Sequence, residues 1–221
     1  MPRIFDTSAL KTFVTCKRTS RVYQQGSILF NEGDSPEGLH ILDSGSAKMF
    51  GSNTRGKTFI TKIANAGELL GLNAVILGKP YLLSAEAMEP SRVSYVLRED
   101  FLNFMRKSPD ASRQVIQQLS ANYYDSQRDV RTLNLSSSIR EKVARLLVSW
   151  VESGDHTSDD ANDQVWINMD LTHEQIGQMI GASRETVSRT MSALSGIGVI
   201  VAKGHVLEIP SLARLRELAR V

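Results

Sequence analysis

Three charged side chains near residue 185 have the types and the spacing needed to contact the edges of DNA bases. On a helical wheel at about 100° per residue, Arg184, Glu185 and Arg189 share one face. An arginine guanidinium matches the edge of guanine with two hydrogen bonds, and a glutamate carboxylate accepts from the amino group of cytosine. The apolar side chains of the segment fall on another face, at Val187, Met191 and Leu194. We therefore expect one side of this helix to pack and the other to contact G·C pairs in a major groove.

The elements that would position this helix are a helix before it and a hairpin after it. Thr172, followed three residues later by Gln175, is typical of a capping box that starts a helix, and Gly181 suits the left-handed turn that ends it. Ser183 can cap the charged helix. The segment VIVAKGHVLEI, with Lys203 at its turn, predicts a two-stranded wing and hence a winged helix-turn-helix. The candidate DNA-contacting residues are Arg184, Glu185, Arg189, Ser183, Ser188 and Thr172.

A long amphipathic helix precedes this motif. It starts at Ser108-Pro109-Asp110, where the proline occupies a first-turn position that needs no N–H donor. Its stripe has spacings of 4, 4, 3, 4 and 3 residues, close to a heptad repeat, at Val115, Leu119, Tyr123, Ser126, Val130 and Leu133. Two interpretations stay open: the stripe packs against the protein's own barrel, or it pairs in parallel with the same helix of a second subunit. Ser136-Ser137-Ser138 then predicts a hinge.

The N-terminal part is rich in glycine and in short β-like segments. Nine of the 15 glycines lie between Gly26 and Gly78. The segments between them, such as LHILDS and TFITKIA, mix β-branched, aromatic and polar residues with partial alternation. This pattern favours half-buried antiparallel strands in a small barrel or roll.

Composition and charge argue against a membrane or secreted protein, but the net charge by itself does not indicate a nucleic-acid partner. The net charge is +2, and residues 137–221 carry 9 Lys+Arg against 11 Asp+Glu. Five of those acids lie in ESGDHTSDDAND, over residues 152–163, which we expect to be a solvated loop that disfavours DNA. The chain shows neither an apolar run long enough to span a membrane nor the start of a signal peptide, so we expect a cytoplasmic protein.

The core EQIGQMIGASRETVSRTM resembles the winged helix-turn-helix of the cyclic-AMP receptor protein and fumarate-nitrate regulator (Crp/Fnr) family. The segments GSILFNEGD, LHILDSGSAKMF and AGELLG resemble successive elements of that family's β-roll, and SPDASRQV onward is similar to its dimerising helix. The resemblance covers nearly the full chain. It implies an α+β fold with three parts: a jelly-roll-like β-roll effector domain of the cyclic-nucleotide-binding type at residues 1–107, a dimerisation helix at 108–136, and a DNA-binding domain at 137–221.

The resemblance also implies a function. Members of the family are homodimeric transcription regulators that bind palindromic operators in double-stranded DNA and contact RNA polymerase. On this sequence, Arg184, Glu185 and Arg189 occupy the positions that read a TGTGA-type half-site. We therefore expect a sequence-specific DNA-binding regulator rather than an enzyme.

The effector site departs from the family's cyclic-AMP pattern. Members that bind cyclic AMP place a Glu and an Arg-Ser pair where this chain has Leu72 and Leu83-Ser84. Because an enclosed phosphate needs a cation, we expect DNA binding not to require cyclic AMP. Leu72, Leu82 and Leu83 either line an apolar pocket or form barrel core. The candidate effector-pocket residues are Gly71, Leu72, Leu83, Ser84, Ser126 and Gln127.

No metal or cofactor is expected from the residues available. A single cysteine, Cys16, cannot hold an iron–sulfur cluster, and the roll has one histidine, His40, where a cupin-like metalloenzyme would need two or three. The sequence has neither a GxxxxGK[ST] phosphate loop nor a GxSxG nucleophile turn. The alternatives left open are a regulator of the same family that responds to a cyclic nucleotide or, through haem, to a gas, and one with an unidentified effector or none.

Overall fold

The structure, a computed structural model, covers most of the chain. It describes residues 18–135, 138–152, 156–159 and 162–220, except for the side chains of Thr132, Leu133 and Leu135. Cys16 and two of the predicted hinge serines, Ser136 and Ser137, lie outside these residues. The chain forms two compact units that divide between Tyr124 and Asp125.

The first unit is a β-roll, and the α+β fold expected from the sequence is confirmed. Its described residues form two four-stranded antiparallel sheets, with strand orders β1-β8-β3-β6 and β2-β7-β4-β5. The strands are β1 (Thr19–Tyr23), β2 (Ile28–Phe30), β3 (Gly38–Ser44), β4 (Ser46–Ser52), β5 (Thr58–Asn65), β6 (Leu69–Leu70), β7 (Ser84–Ala87) and β8 (Ser91–Leu97). Three helices accompany them: α1 (Leu72–Leu77), α2 (Arg98–Lys107) and α3 (Pro109–Leu135), of which α3 extends into the second unit.

Strand β3 joins the two layers of apolar packing in the roll. Successive side chains of a strand point to opposite faces. Leu39 and Ile41 accordingly pack in the cluster that includes Phe101 of α2, whereas Leu42 packs in the cluster that includes Phe30 of β2. Both faces of β3 are therefore covered, and each carries buried apolar side chains.

Helix α3 starts at Pro109 as predicted, but its stripe differs from the predicted one. Val115 is only 1% exposed and lies in the same core cluster as Phe101, so it packs on the roll. Ile116 takes its place on the exposed side at 62% exposure, followed at heptad spacing by Tyr123 at 69% and Val130 at 54%. Of the predicted stripe, Val115 and Leu119 therefore pack on the roll, whereas Tyr123 and Val130 are exposed, because the width of the buried face depends on how far the roll reaches around the helix.

The second unit combines four further helices with one sheet. Among its described residues, the helices are α4 (Ile139–Glu152), α5 (His173–Ile180), α6 (Arg184–Gly196) and α7 (Leu212–Ala219). The sheet is antiparallel in the order β11-β12-β10-β9, with β9 (His156–Asp159), β10 (Gln164–Asn168), β11 (Val201–Lys203) and β12 (Val206–Ile209). The predicted wing hairpin, β11 and β12, is thus half of a larger sheet.

The acidic segment was predicted to be a solvated loop, but the structure shows that part of it is a strand. Its residues His156–Asp159 form the edge strand β9, which pairs with β10, while Asp155 and Asp160 lie outside the described residues. Asp163 caps the distant helix α7: its carboxylate accepts from Ala213 N at 2.9 Å and from the Ser211 hydroxyl at 2.8 Å. These two hydrogen bonds lower the pKa of Asp163. The sequence pattern missed both features because strand pairing and a cap 50 residues away are not local.

A buried imidazole lies among aromatic rings in the roll. His40 of β3 is 6% exposed, and its ring centroid lies 5.0 Å from those of Phe30 and Tyr95. None of the described residues forms a hydrogen bond with its buried Nδ1. Burial lowers the pKa of His40 to about 4.

This burial predicts that the roll loses stability as the pH falls. The unfolded state, with a histidine pKa near 6.5, binds a proton that the folded state excludes until about pH 4. The stability is therefore complete above pH 6.5 and decreases by up to about 3 kcal/mol between pH 6.5 and 4. We expect His40→Phe to remove this part of the pH dependence, measured by urea unfolding followed by circular dichroism. The control, His205→Gln at an exposed position, should keep it; equal slopes for His40→Phe and the unaltered protein would contradict the prediction.

Candidate DNA-binding surface

Helix α5 begins with the predicted capping box. The Thr172 hydroxyl accepts from Gln175 N at 3.2 Å, and the Gln175 side chain accepts from Thr172 N at 2.8 Å. Gly181 ends the helix with φ +74°, a conformation that a side chain would strain. Helix α5 is thus defined at both ends by local interactions.

A second glycine sets the turn to α6, and sequence reasoning missed it. Gly177 lies inside α5, and its carbonyl accepts from Ala182 N at 2.9 Å. A Cβ at Gly177 would lie 2.6 Å from Ala182 O, closer than such contacts occur. The chain after Gly181 therefore folds back onto α5 only because residue 177 has no side chain. A glycine within a helical pattern was the signal available in the sequence.

Helix α6 has one buried face and one polar face, as the wheel predicts. Ser183 caps it by accepting from Thr186 N at 3.2 Å. The packed side chains are Val187 at 0%, Met191 at 6% and Leu194 at 0% exposure. The candidate DNA-contacting residues lie in the first two turns of α6 or at the two caps. Arg184, Glu185, Arg189, Ser183 and Thr172 are exposed, and Ser188 is half-buried.

The charges on α6 are held close to one another. The pKa of Glu185 is lowered, first by a hydrogen bond from its own backbone N–H and then by one from the Ser183 hydroxyl. The positive charges of Arg184 and Arg189 lower it further. The guanidinium Nε of Arg189 donates to Glu185 O at 3.4 Å. The carboxylate at the start of α6 is therefore ionised, which suits an acceptor for an amino group of a base.

The wing places a lysine beside the turn between β11 and β12. Lys203 is exposed and forms an ion pair with Glu208 at 2.6 Å. The carbonyl of His205 accepts from Met169 N at 2.6 Å, which attaches the turn to the segment after β10. The wing is therefore anchored to the rest of its own unit.

The predicted effector-pocket residues belong to both units, with Gly71, Leu72, Leu83 and Ser84 in the β-roll and the other two on α3 beyond Tyr124. Leu72 is 4% exposed and belongs to the core cluster of α1 and α2, and Leu83 is half-buried. The hydroxyl of Ser84 accepts from Glu32 N at 2.9 Å, which leaves its O–H donor free. Ser126 and Gln127 are exposed residues of α3 in the second unit.

Other groups of the roll around this region are also engaged. Gly71 has φ +76°, and a Cβ there would lie 2.5 Å from the ring of Tyr81. Lys48 forms an ion pair with Glu86 at 2.8 Å, and Lys62 with Glu68. Leu72 lies in the barrel core, whereas Leu82, for which the same two interpretations were left open, is 83% exposed and belongs to neither a core nor a pocket.

The described residues contain no group of three His, Cys, Asp or Glu side chains able to hold a metal ion. In the same part of the chain, every helix is too short or too polar to cross a bilayer.

Comparisons with known proteins agree with this arrangement. A family model described as a cyclic nucleotide-binding domain matches residues 20–108, and one described as a Crp-like helix-turn-helix domain matches residues 141–218. The chain is 26% identical to the cyclic AMP receptor protein of Thermus thermophilus over 199 residues, 90% of this chain and 87% of that protein. It is 27% identical to the fumarate and nitrate reduction regulatory protein of Vibrio cholerae over 198 residues, 90% and 77% of the two chains. The solved structure of FixK2 from Bradyrhizobium japonicum is similar, with a TM-score of 0.78, 19% identity, and coverage of 91% and 97%.

Proposed function

The chain belongs to the Crp/Fnr family of DNA-binding transcription regulators, and from this premise we propose that it binds, as a homodimer, a palindromic operator with TGTGA-type half-sites. The observation that carries the proposal is the capped helix α6, which buries Val187 and Leu194 and leaves Arg184, Glu185 and Arg189 exposed. RNA polymerase is the further partner that family membership suggests.

Base reading would come from the exposed side of α6. Arg184 and Arg189 each offer a planar pair of donors to guanine, and the ionised Glu185 offers an acceptor to cytosine. The hydroxyls of Ser183 and Ser188, which neighbour these charges on α6, and of Thr172 at the start of α5 suit phosphate or base contacts. Caps at both helix starts hold these groups without help from DNA, so little ordering is needed on binding.

Dimerisation would use the exposed stripe of α3. Ile116, Tyr123 and Val130 recur every seven residues and are each more than half exposed. Exposed apolar side chains at this spacing favour a parallel coiled-coil pairing, which brings two copies of the DNA-binding unit to a two-fold symmetric site.

We also propose that operator binding does not require cyclic AMP. Leu72 is part of the core, Leu83 provides no charge, and the Ser84 hydroxyl is bonded to the Glu32 backbone. The lysines Lys48 and Lys62 are paired with carboxylates. Lys79, which follows α1, is exposed, so it would offer a cyclic phosphate an exposed point charge in place of the enclosed guanidinium of the family pattern.

The haem alternative is not supported by the residues present. The one histidine among the described residues of the roll is His40, whose ring has Phe30 and Tyr95 at 5.0 Å each. A porphyrin beside this imidazole would displace at least one of these rings. We therefore propose a regulator without a resident cofactor.

The first prediction concerns the operator. Selection from random DNA should return a palindrome with G·C pairs in both half-sites, spaced about one helical turn apart. Arg184→Ala or Arg189→Ala should cost about 1 to 3 kcal/mol and relax the preference at one base pair per half-site, measured by fluorescence anisotropy on single-base operator variants. Arg214→Ala, at an exposed position of α7, should leave the base preference unchanged. An equal loss on all DNA sequences would mean that the arginine contacts only phosphate.

The second prediction compares two adjacent tyrosines. Tyr123 lies on the stripe of α3, and Tyr124, with a similar exposure of 64%, lies about 100° around the helix. Tyr123→Glu would bury two like charges in the dimer and should weaken association by several kcal/mol, whereas Tyr124→Glu should not. Sedimentation velocity measures both. A dimer that tolerates Tyr123→Glu would show that the stripe is not the dimer interface.

The third prediction concerns the effector. We expect no binding of cyclic AMP or cyclic GMP at micromolar concentration in calorimetric titrations, and the same operator affinity with and without each nucleotide. The loss of two charge-assisted hydrogen bonds, each worth about 1.5 to 3 kcal/mol, weakens a site by a factor of about 100 or more. Micromolar binding coupled to a gain in operator affinity would contradict this prediction.

A further inference from the structure

The short strand β6 has a side chain as its second hydrogen-bonding partner. On one side β6 pairs with β3, and its other side is the edge of the sheet. There the side-chain amide of Gln118 from α3 accepts from Leu69 N at 3.3 Å and donates to Leu69 O at 3.0 Å. Gln118 is 1% exposed. The amide therefore replaces a neighbouring strand and satisfies both backbone groups of a buried edge residue.

A second contact one turn further along α3 strengthens the first. Lys62 of β5 donates to the side-chain oxygen of Asn122 at 3.0 Å and forms an ion pair with Glu68, the residue before Leu69. Gln118 and Asn122 are four residues apart and thus lie on the same side of the helix. We name the interactions of Gln118 and Asn122 with Leu69, Lys62 and Glu68 the β6–α3 contact.

The apolar side chains under α3 do not define its rotation by themselves. Ala111 and Val115 are buried against the roll, and Leu119 is partly buried beside them. A turn of the helix by about 100°, with a shift of about 1.5 Å along its axis, would bring Ile116 to the place of Val115, and both are apolar. Such a turn would leave Leu69 N and Leu69 O buried without partners, which costs free energy. The amide therefore discriminates between rotations that the apolar contacts would both accept.

We propose that the buried amide of Gln118 is a positioning residue that sets the rotation of α3 on the β-roll, and so determines which side chains of α3 are left exposed. With this rotation Val115 faces the roll, and Ile116 and Tyr123 face away from it. The consequence for operator binding rests on the proposed function, because it assumes that the exposed stripe joins two copies. A buried polar group that specifies one register among apolar alternatives acts in the same way in coiled coils.

The contact also ties α3 to the turn that leads into α1. Leu69 and Leu70 are followed directly by Gly71, whose φ of +76° starts α1, and by the buried Leu72. A shift of this turn would break or strain the bonds to Gln118. The rotation of α3 is thus linked to the segment where the family pattern places an effector.

The test compares Gln118→Met with Gln117→Met. Methionine has nearly the length and the helix propensity of glutamine but makes neither hydrogen bond, and Gln117 is an exposed neighbour. Two local measurements are made: amide hydrogen exchange at Leu69 by NMR, and thiol labelling of Val115→Cys in a Cys16→Ser background. In Gln118→Met we expect both rates to rise by about tenfold or more under native conditions, whereas Gln117→Met leaves them unchanged.

Each outcome decides the proposal. Unchanged exchange at Leu69, or an equal rise in Gln117→Met, overturns the role of the amide. Faster exchange without faster labelling of the Val115→Cys thiol shows that the amide protects the edge without setting the rotation. If Gln118→Met does not fold, exchange at Leu69 in the unaltered protein decides: protection comparable to that of Leu70 supports the contact, and exchange as fast as in an open strand overturns it.

Operator affinity is measured separately on the same variants. We expect Gln118→Met to lower it by about tenfold, with Gln117→Met unchanged. Unaltered affinity despite both local changes would overturn the link from rotation to operator binding. An unaltered protein that binds no operator would refute the proposed function, while the exchange and labelling rates would still decide the role of Gln118.

Discussion

The arrangement of the charged groups on α6 depends on the burial of the opposite side of the same helix. Val187 and Leu194 are fully buried and Met191 nearly so, and together they fix how the helix is rotated in its unit. The close approach of Gly177 to Ala182 fixes where the helix starts. With rotation and start both set by packing, the exposed arginines and Glu185 can remain on the surface without partners of their own in the core.

The β-roll pairs two of its lysines with carboxylates. Lys48 and Lys62 are partly buried and each is matched by a carboxylate, and Ser84 serves a backbone N–H. A partly buried cation that already has a carboxylate partner is a poor site for a phosphate, because binding would leave the carboxylate unpaired.

Helix α3 has one side that packs on the roll and one side that remains exposed. The side with Ala111, Val115 and Gln118 completes the core of the roll and the edge of its sheet, whereas the side with Ile116 and Tyr123 remains exposed. Val115 and Ile116 are neighbours in the chain and lie about 100° apart around the helix, so a rotation of that size would exchange their environments. A bidentate side-chain amide is suited to preventing such a rotation because it tolerates less displacement than apolar packing does.

Local signals in the sequence determined where several helices of this protein begin and end. The capping box at Thr172, the serine cap at Ser183, the glycine turn at Gly181 and the start of α3 at Pro109 each depend on neighbours within a few residues, and the structure has all of them. The buried and polar sides of α6 follow from helical periodicity alone. The glycine spacing and partial alternation were enough to predict a roll.

Only the tertiary structure decided which residues meet across the chain. Val115 rather than Ile116 enters the core because of the reach of the roll, and Leu72 belongs to the core rather than to a polar pocket. Asp163 caps a helix 50 residues away, and Gln118 completes a strand 49 residues away. These partners are chosen by how distant segments pack, and a buried backbone or side-chain group accepts whichever partner the fold brings within hydrogen-bond distance. The spacing of residues along the sequence therefore does not predict which distant residues become hydrogen-bond partners.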